Sequence, residues 1–464
     1  MIGQGGGADV RAKGVVNRLL ALAVLIALQY VWRDVPKSLT PGGELSANLG
    51  FLLLTAYVGG TVAKRLGASR VTGYILVGLL VGPGGLALLN ESGARDLGFL
   101  NDVAIVLIAM TAGGELGLKR LRSQGRYIAS ITLTELTVVF TLVFVTIVTI
   151  SNWLPVTAGR ELGVVLTMAM VFGSIAVANS PSVAIAVITD TRSRGPVTST
   201  ILSVTVIKDV VVIVLFGVAL SMAQAILSPD QGLELDFALT LAWEIGGSLV
   251  VGGLLGTAIA AYLSWVNQHL VLLTLVVAWL AVELAGLLHL EVLLLGLAAG
   301  FTLENLLPVE GGDLVRALEQ SSMPLYALFF SLAGASVHLE ALVSLLFWVL
   351  LLVSVRAASI YVGTRLGARI GNAPDSVRRY AWTGFVPQAG VTIGMATIMA
   401  RTFPEWGDEL QSLFVAMVAV HELIGPILLN WGLSRAGEVG AADAEEVGAG
   451  SAAPDDALPA SAGA

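Results

Sequence analysis

The chain has 464 residues, of which 56% are hydrophobic and only 12% are charged, with a formal net charge of -8. Because soluble domains carry about 25% charged residues, this composition excludes a soluble protein and predicts an integral membrane protein. The sequence contains no cysteine, which excludes disulfides and thiolate metal sites. The lipid bilayer is therefore the expected environment, and we expect neither a cofactor nor a nucleic-acid partner.

Apolar runs long enough to cross about 30 Å of hydrocarbon as helices recur along the whole chain. The pair at 270–306 is divided only by a short stretch around His289. The fold class predicted from these runs is an all-α polytopic membrane protein with about 13–14 transmembrane helices. The spans are 15–33, 45–63, 71–90, 98–118, 127–150, 162–189, 197–227, 237–264, 270–288, 290–306, 322–337, 341–363, 379–400 and 410–433.

Charge on the connecting loops predicts the orientation. Most of the 25 lysines and arginines fall in alternate loops, and loops rich in Lys and Arg face the cytoplasm. Both termini are therefore predicted to be cytoplasmic, in a multi-pass protein of the inner (plasma) membrane.

Three segments are expected along the chain. Residues 1–14 form a cytoplasmic N-terminal segment and residues 15–433 form the transmembrane domain. Residues 434–464 are rich in Ala, Gly, Pro and acidic residues, a composition that cannot bury a core, so a disordered acidic cytoplasmic tail is predicted there.

Two apolar runs are interrupted by proline and polar residues. The first interruption is Asn179-Ser180-Pro181-Ser182, and the second includes Pro387-Gln388 and ends at Gly390. Paired Pro/Gly-interrupted helices are a sequence indicator of a transport site near the bilayer midplane. The alternative is that each proline only kinks its helix.

Lys208 and Asp209 stand side by side inside an apolar run. Ionisable groups at bilayer depth are rare and usually mark an ion or proton path. Thr205 lies one turn before Asp209, so hydroxyl and carboxylate oxygens are available on one face. We predict that Asp209 binds the ion and the proton, with oxygen ligands from Thr205, Asn179, Ser180 and Ser182, and that Lys208 belongs to the same ion/proton-binding site. A structural ion pair is the alternative, although buried pairs are poor stabilisers.

Arg356 is a second charge at membrane depth and is expected to be a fixed cation, because arginine stays protonated. We expect a carboxylate to pair with it, with Asp209, Glu135, Glu244 and Glu422 as candidates. The alternative is that Arg356 extends to the membrane interface. The histidines show no metal-ligand spacing, and no metal is expected beyond a transported cation.

The chain resembles the monovalent cation:proton antiporter superfamily, which includes sodium/proton exchangers and potassium efflux proteins. Val71-Thr72-Gly73-Tyr74 through Gly82-Pro83 is similar to its third helix, and Asn179-Ser180-Pro181 falls at its first helix break. Phe329-Phe330 through Gly334 resembles a further family helix, and Arg356 falls where members carry a buried Lys or Arg. The similarity extends over about residues 45–433.

This resemblance implies two inverted repeats with two crossed discontinuous helices, a core domain that binds the ion, and a separate dimerisation domain. It also implies elevator-like alternating access in a homodimer, with Asp209 as the essential carboxylate. The chain departs from the family at Lys208, because members usually carry Asp, Asn or Gln before that aspartate.

The predicted function is exchange of Na+ or K+ for H+ through Asp209, which is transport and not an enzymatic reaction. Because of Lys208, the first alternative is a passive or gated ion pathway on the same fold. The others are a non-transporting sensor and symport of an organic anion, although no further basic residues line the breaks.

Overall fold

In the computed structural model, residues 5–33, 43–115, 117–227, 235–266, 270–306, 312–337 and 345–441 are described, and every regular element in these ranges is helical. The helices are α1 Gly5–Arg33, α2 Gly43–Arg65, α3 Arg70–Val81, α4 Glu91–Asp96, α5 Gly98–Glu115, α6 Leu118–Ile150, α7 Leu162–Ala176, α8 Pro181–Thr191, α9 Pro196–Leu227, α10 Leu235–Trp265, α11 Leu270–Leu288, α12 Val292–Leu306, α13 Gly312–Ala335, α14 Leu346–Ile370, α15 Asp375–Tyr380, α16 Gly390–Thr402 and α17 Gly407–Ala436, with a 3-10 helix at Ala381–Phe385.

The all-helical membrane fold predicted from the apolar runs is confirmed. In the described ranges, eight helices are long and apolar enough to cross a membrane, and shorter apolar helices accompany them. The pair at 270–306 is two helices, separated at His289, whose φ is +55°.

Several predicted span boundaries differ from the helix ends, among them the starts of α1, α6 and α13 and the two that follow. The predicted span 71–90 ends as a helix at Val81, because Gly82 is extended and Pro83 has no N–H to continue the ladder. The predicted span 341–363 is α14, displaced to Leu346–Ile370.

The helices pack as two units. The core unit consists of α6–α9 with α14–α17, in which α6 packs on α14 and α7 on α9. The scaffold unit consists of α2, α3, α5 and α10–α13, in which α5 packs on α12 and α3 on α13. Each broken helix therefore lies inside the core unit, beside the helix that follows it in the sequence.

A glycine stripe sets the spacing between α6 and α14. A Cβ on Gly363, Gly367 or Gly371 would collide with the α6 backbone, at Glu135 for the first and Ile131 for the second. These glycines recur every fourth residue and so share one helix face, and small residues there let two membrane helices approach closely. The contact fixes Glu135 in the interior of the core unit.

The predicted domain boundaries fall inside helices. Residues 5–14 belong to α1 and α17 runs to Ala436, so the boundary drawn at 433 comes before the helix ends. The following residues still pack on the protein, since the Arg194 amide donates to the Glu438 carbonyl oxygen at 3.0 Å. Residues 442–464, most of the predicted disordered tail, lie outside the described residues.

The Glu438 carboxylate caps the N-terminus of α9, the helix that carries Asp209. It accepts from the amides of Val197 and Thr198 and from the Thr198 hydroxyl, each at 2.7 Å. A carboxylate there satisfies N–H groups that have no partner in the helix and lies at the positive end of the helix dipole.

We therefore expect Glu438→Ala to lower the free energy of unfolding by about 1–3 kcal/mol, the range for a lost cap with charged hydrogen bonds. The measurement is the midpoint of thermal unfolding in detergent. Glu405→Ala, at an exposed position on the same unit, is the matched control. Equal midpoints for both variants would contradict a stabilising cap.

Candidate ion-binding site

The first helix break separates α7 from α8. Residues 177–180 leave the helix, and α8 restarts at Pro181, in the first turn, where its missing N–H has no helical partner to lose. Ser180 is the N-cap, and its side chain accepts from the Val183 amide at 3.2 Å. The sequence motif is therefore a true interruption and not a proline kink in a continuous helix.

The second break lies between the 3-10 helix and α16. The chain is not helical at 387–389, and α16 begins at Gly390. The two breaks touch, because the Ser180 amide donates to the Pro387 carbonyl oxygen at 2.8 Å. The Gln388 side-chain amide also donates to the Ala178 carbonyl oxygen, at 3.2 Å. The two discontinuous helices thus meet at their non-helical segments.

Arg356 lies fully buried beside this crossing. Its guanidinium donates to the carbonyl oxygens of Ala176 and Ala178 at 2.7 and 2.5 Å in the first break. It also donates to those of Val386 and Phe385 at 2.7 and 3.4 Å in the second. These carbonyls lie at or beyond helix C-termini, where the helix leaves acceptors unpaired and the dipole is negative.

The expectation of a carboxylate partner for Arg356 is therefore wrong: in the described chain its hydrogen bonds all go to backbone carbonyls. The charge is accommodated because several carbonyl dipoles converge on one planar fork. Glu422 is also buried at this depth, on α17, but forms no ion pair with described residues.

Lys208 pairs with Glu135 across α9 and α6. Its Nζ lies 2.6 Å from a Glu135 carboxylate oxygen, and both side chains are fully buried. The ammonium also lies 5.6 Å from the centre of the Phe385 ring. The cation that precedes Asp209 in the sequence therefore has its own counter-ion, and Glu135, expected as a candidate partner of Arg356, pairs with Lys208 instead.

Several buried polar atoms on α9, in the helix breaks and on α16 have no hydrogen-bond partner among the described residues. Among the described residues, Asp209 Oδ2, Thr205 Oγ1 and both polar atoms of the Asn179 amide lack a partner. Gln388 Oε1 and Thr392 Oγ1 share this property. Buried polar atoms are nearly always hydrogen-bonded, so free oxygens on α9, which packs on α7, α8 and the 3-10 helix, and in the breaks themselves are suited to a ligand of positive charge.

The sequence reasoning missed Thr392. It lies on α16, three residues after the N-cap Ala389, and a lone threonine there carries no sequence signal that would mark it.

Two cavities lie between the core and scaffold units, at opposite ends of α8. The larger, the Glu291 cavity, measures about 410 Å³ and reaches Asn179, Ser180 and Ser182 of the first break. The smaller, the Arg70 cavity, measures about 210 Å³ and includes Thr189 and Asp190 at the far end of α8. In the Arg70 cavity an ion pair joins the units, with Arg70 Nε 3.6 Å from Asp190 Oδ1.

The model of the transmembrane sodium/hydrogen exchanger family matches residues 51–434, which include both helix breaks, Asp209 and Arg356. The chain belongs to the sodium/hydrogen exchanger family. Members are multi-pass membrane antiporters that exchange cations for protons, so the family resemblance noted in the sequence is confirmed.

Curated relatives of this exchanger match over nearly their whole length. The Na+/H+-K+ antiporter GerN of Bacillus cereus is 22% identical over 84% of this chain and 96% of its own. A Na+/H+ antiporter of Enterococcus hirae is 23% identical over 84% of this chain and 98% of its own.

Solved structures show the same fold. The sodium proton antiporter MjNhaP1 from Methanocaldococcus jannaschii, at pH 8, aligns with this exchanger at a TM-score of 0.59 and 17% identity. The alignment covers 85% of this chain and 98% of that one. An electron-microscopy structure of MjNhaP1 aligns at a TM-score of 0.63 and 18% identity, covering 86% and 97%.

Arg356→Lys is expected to lower the free energy of unfolding by about 2–5 kcal/mol, because an ammonium lacks the fork that reaches both breaks and leaves buried carbonyls unpaired. Thermal unfolding in detergent measures the effect. Arg369→Lys, at an exposed position of α14, controls for the substitution itself. An unfolding midpoint equal to that of the control would contradict the joining of the breaks by Arg356.

A double-mutant cycle tests the Lys208–Glu135 pair. Lys208→Met and Glu135→Met each leave one buried charge without its partner and are expected to cost about 3–5 kcal/mol of unfolding free energy. The double variant should lose less than either single variant, since no charge remains to be desolvated. Strictly additive losses would mean that the two groups do not interact.

Proposed function

We propose that this chain exchanges Na+ or K+ for protons, and that Asp209 carries the cation and the proton in alternation. The observation that carries the proposal is the set of buried, unpartnered oxygens at Asp209, Thr205 and Asn179 beside two touching helix breaks. Na+ and K+ are hard cations bound by carboxylate, hydroxyl and carbonyl oxygens. A carboxylate that binds either a cation or a proton, but not both together, is sufficient for exchange.

The ligand set follows from the same atoms. Asp209 supplies the charge, and Thr205, Asn179 and Gln388 supply neutral oxygens from α9 and both breaks. Ser182, which lies on the wall of the Glu291 cavity, stands at the entrance from that side. Ser180 is not included among the cation ligands, because its hydroxyl caps α8. The printed name of GerN includes both Na+ and K+, which supports keeping both ions as candidates.

The alternative of a passive ion pathway rests on Lys208, because a free ammonium beside Asp209 would repel an incoming cation. The ion pair with Glu135 argues against that repulsion, since it leaves the local pair neutral. The charge balance at the site is then one negative group, Asp209, and one cation or proton. Arg356 is committed to the carbonyls of the breaks and does not take part in this exchange.

Alternating access is proposed to occur by movement of the core unit against the scaffold unit. The two cavities support this, because each is walled by both units and α8 contributes to the core wall of each. The Arg70–Asp190 ion pair and the Arg70 amide, which donates to Asp190 Oδ2 at 2.8 Å, hold the units together at one end. The Glu291 cavity is then the open side.

The distribution of Lys and Arg in the loops predicts which cavity faces the cytoplasm. The Arg70 cavity lies at the end of α8 where Arg192 and Lys64 also lie, the side predicted to be cytoplasmic. The proposed state is therefore open to the outside and closed to the cytoplasm. The inverted repeats, the homodimer, the inner-membrane location and the cytoplasmic termini remain predictions of the same proposal.

The test is dissipation of a pH gradient in proteoliposomes after pulses of Na+, Li+, K+ and choline. We expect dissipation with Na+ or K+ but not choline, and a rate no greater than that of empty liposomes for Asp209→Asn, which has no group to carry the proton. Asp375→Asn, at an exposed carboxylate, is the control and should retain wild-type rates. Exchange retained by folded Asp209→Asn protein would remove this residue from the mechanism.

A further inference from the structure

The scaffold wall of the Glu291 cavity contains two carboxylates that the proposed exchange site does not use. Glu244 lies on α10, and Glu291 lies immediately before α12; both line the cavity together with Asn179 and Ser182 of the core unit. Two acidic groups therefore share one cavity with the first helix break.

The turn before α12 is fixed in place on α10. The Trp243 indole donates to the Leu288 carbonyl oxygen at 2.9 Å, and the Glu291 amide donates to Ser248 Oγ at 2.8 Å. Within the turn, the Leu290 amide donates to the Ala285 carbonyl oxygen at 2.9 Å. These contacts hold the Glu291 backbone against α10, so its side chain is presented to the cavity by rigid elements.

Helix capping explains why Glu291 has a hydrogen-bond acceptor in its side chain, but not why that side chain is a glutamate. One carboxylate oxygen accepts from the Leu294 amide at 2.5 Å, which satisfies a free N–H at the start of α12. However, the preferred N-cap residues are Asn, Asp, Ser and Thr, whose short side chains reach this N–H without placing a longer carboxylate beside a cavity. The charge at Glu291 therefore calls for a second explanation.

The opposite wall supplies an independent indication of a ligand. Asn179 is only 1% exposed, lines this cavity, and has no hydrogen-bond partner for its amide oxygen or nitrogen among the described residues. An amide oxygen on the core side and carboxylates on the scaffold side are both ligand types for hard cations. The volume of about 410 Å³ accommodates a cation that keeps part of its water shell.

We propose that Glu291, with Glu244, forms a loading site that holds a partly hydrated monovalent cation before Asn179 and Asp209 take it. This inference rests on the proposed exchange function and adds a step to it. The loading carboxylates belong to the scaffold unit and the receiving residues to the core unit. The site therefore faces Asp209 only while the Glu291 cavity is open, and its effect on transport depends on the side from which the cation arrives.

The experiment compares Na+/H+ exchange in right-side-out and everted membrane vesicles, with apparent KM and maximal rate measured for Na+ added from each side. Glu291→Gln keeps an oxygen that accepts from the Leu294 amide but removes the charge. We expect its apparent KM to rise about three- to tenfold on the Glu291 side, the effect of losing a partly solvated charge interaction. The maximal rate and the KM from the other side should be unchanged.

Three further variants make the result specific. Glu291→Asp should restore most of the wild-type KM, and Glu244→Gln combined with Glu291→Gln should raise it further. Glu283→Gln removes another scaffold carboxylate, on α11 and outside this cavity, and should leave both sides unchanged. An unchanged KM in Glu291→Gln, or an equal change from both sides, would overturn the loading site.

A binding measurement distinguishes failure of the loading site from failure of the exchange function. In detergent, the unfolding midpoint of Asp209→Asn protein is compared in NaCl and choline chloride. Residual stabilisation by Na+ that disappears when Glu291→Gln is added supports the loading site even if no exchange is measured. Residual stabilisation that persists in the double variant, or no residual stabilisation in Asp209→Asn protein, counts against it. Loss of exchange in the wild type would instead reject the proposed function.

Discussion

The contacts of Arg356 with the two helix breaks are the interaction on which the site depends. A membrane helix that unwinds at bilayer depth exposes carbonyls, and each unsatisfied group there costs several kcal/mol. One guanidinium, with its donors in a planar fork, satisfies carbonyls from both breaks. Because the same side chain binds both segments, it also fixes where they cross, and Asn179 and Gln388 belong to these two segments.

Charge balance in the core unit follows from this arrangement. Arg356 binds dipoles and needs no carboxylate, which leaves Glu135 available for Lys208. That pairing leaves Asp209 as a carboxylate with an unpartnered oxygen on α9. At Asp209 itself the balance is simple, since one proton or one monovalent cation neutralises this carboxylate.

The division into two units provides a way for Asp209 to be reached from each side of the membrane in turn. The core unit contains the breaks and Asp209, while the scaffold unit supplies the opposite wall of each cavity. At one end of α8 that wall includes acidic residues. At the other end, Arg70 of the scaffold unit pairs with Asp190 of the core unit. Na+/H+ exchange requires that the carboxylate meet each side in turn. Two packed units with a cavity at each end of their contact are an arrangement in which a sliding motion accomplishes this.

The amino-acid sequence was enough to predict the membrane fold and the two breaks and to single out Asp209 as a candidate, because these depend on local properties: apolar runs, prolines within them and a charge among apolar neighbours. It could not determine which charges pair. Lys208 is adjacent to Asp209 in the chain, yet successive helix residues point about 100° apart, and its partner comes from α6. Arg356 binds backbone carbonyls, which every residue possesses and which no sequence pattern marks. The place of Glu291 on a cavity wall was decided only by packing, since it depends on the contact of α10 with the turn before α12.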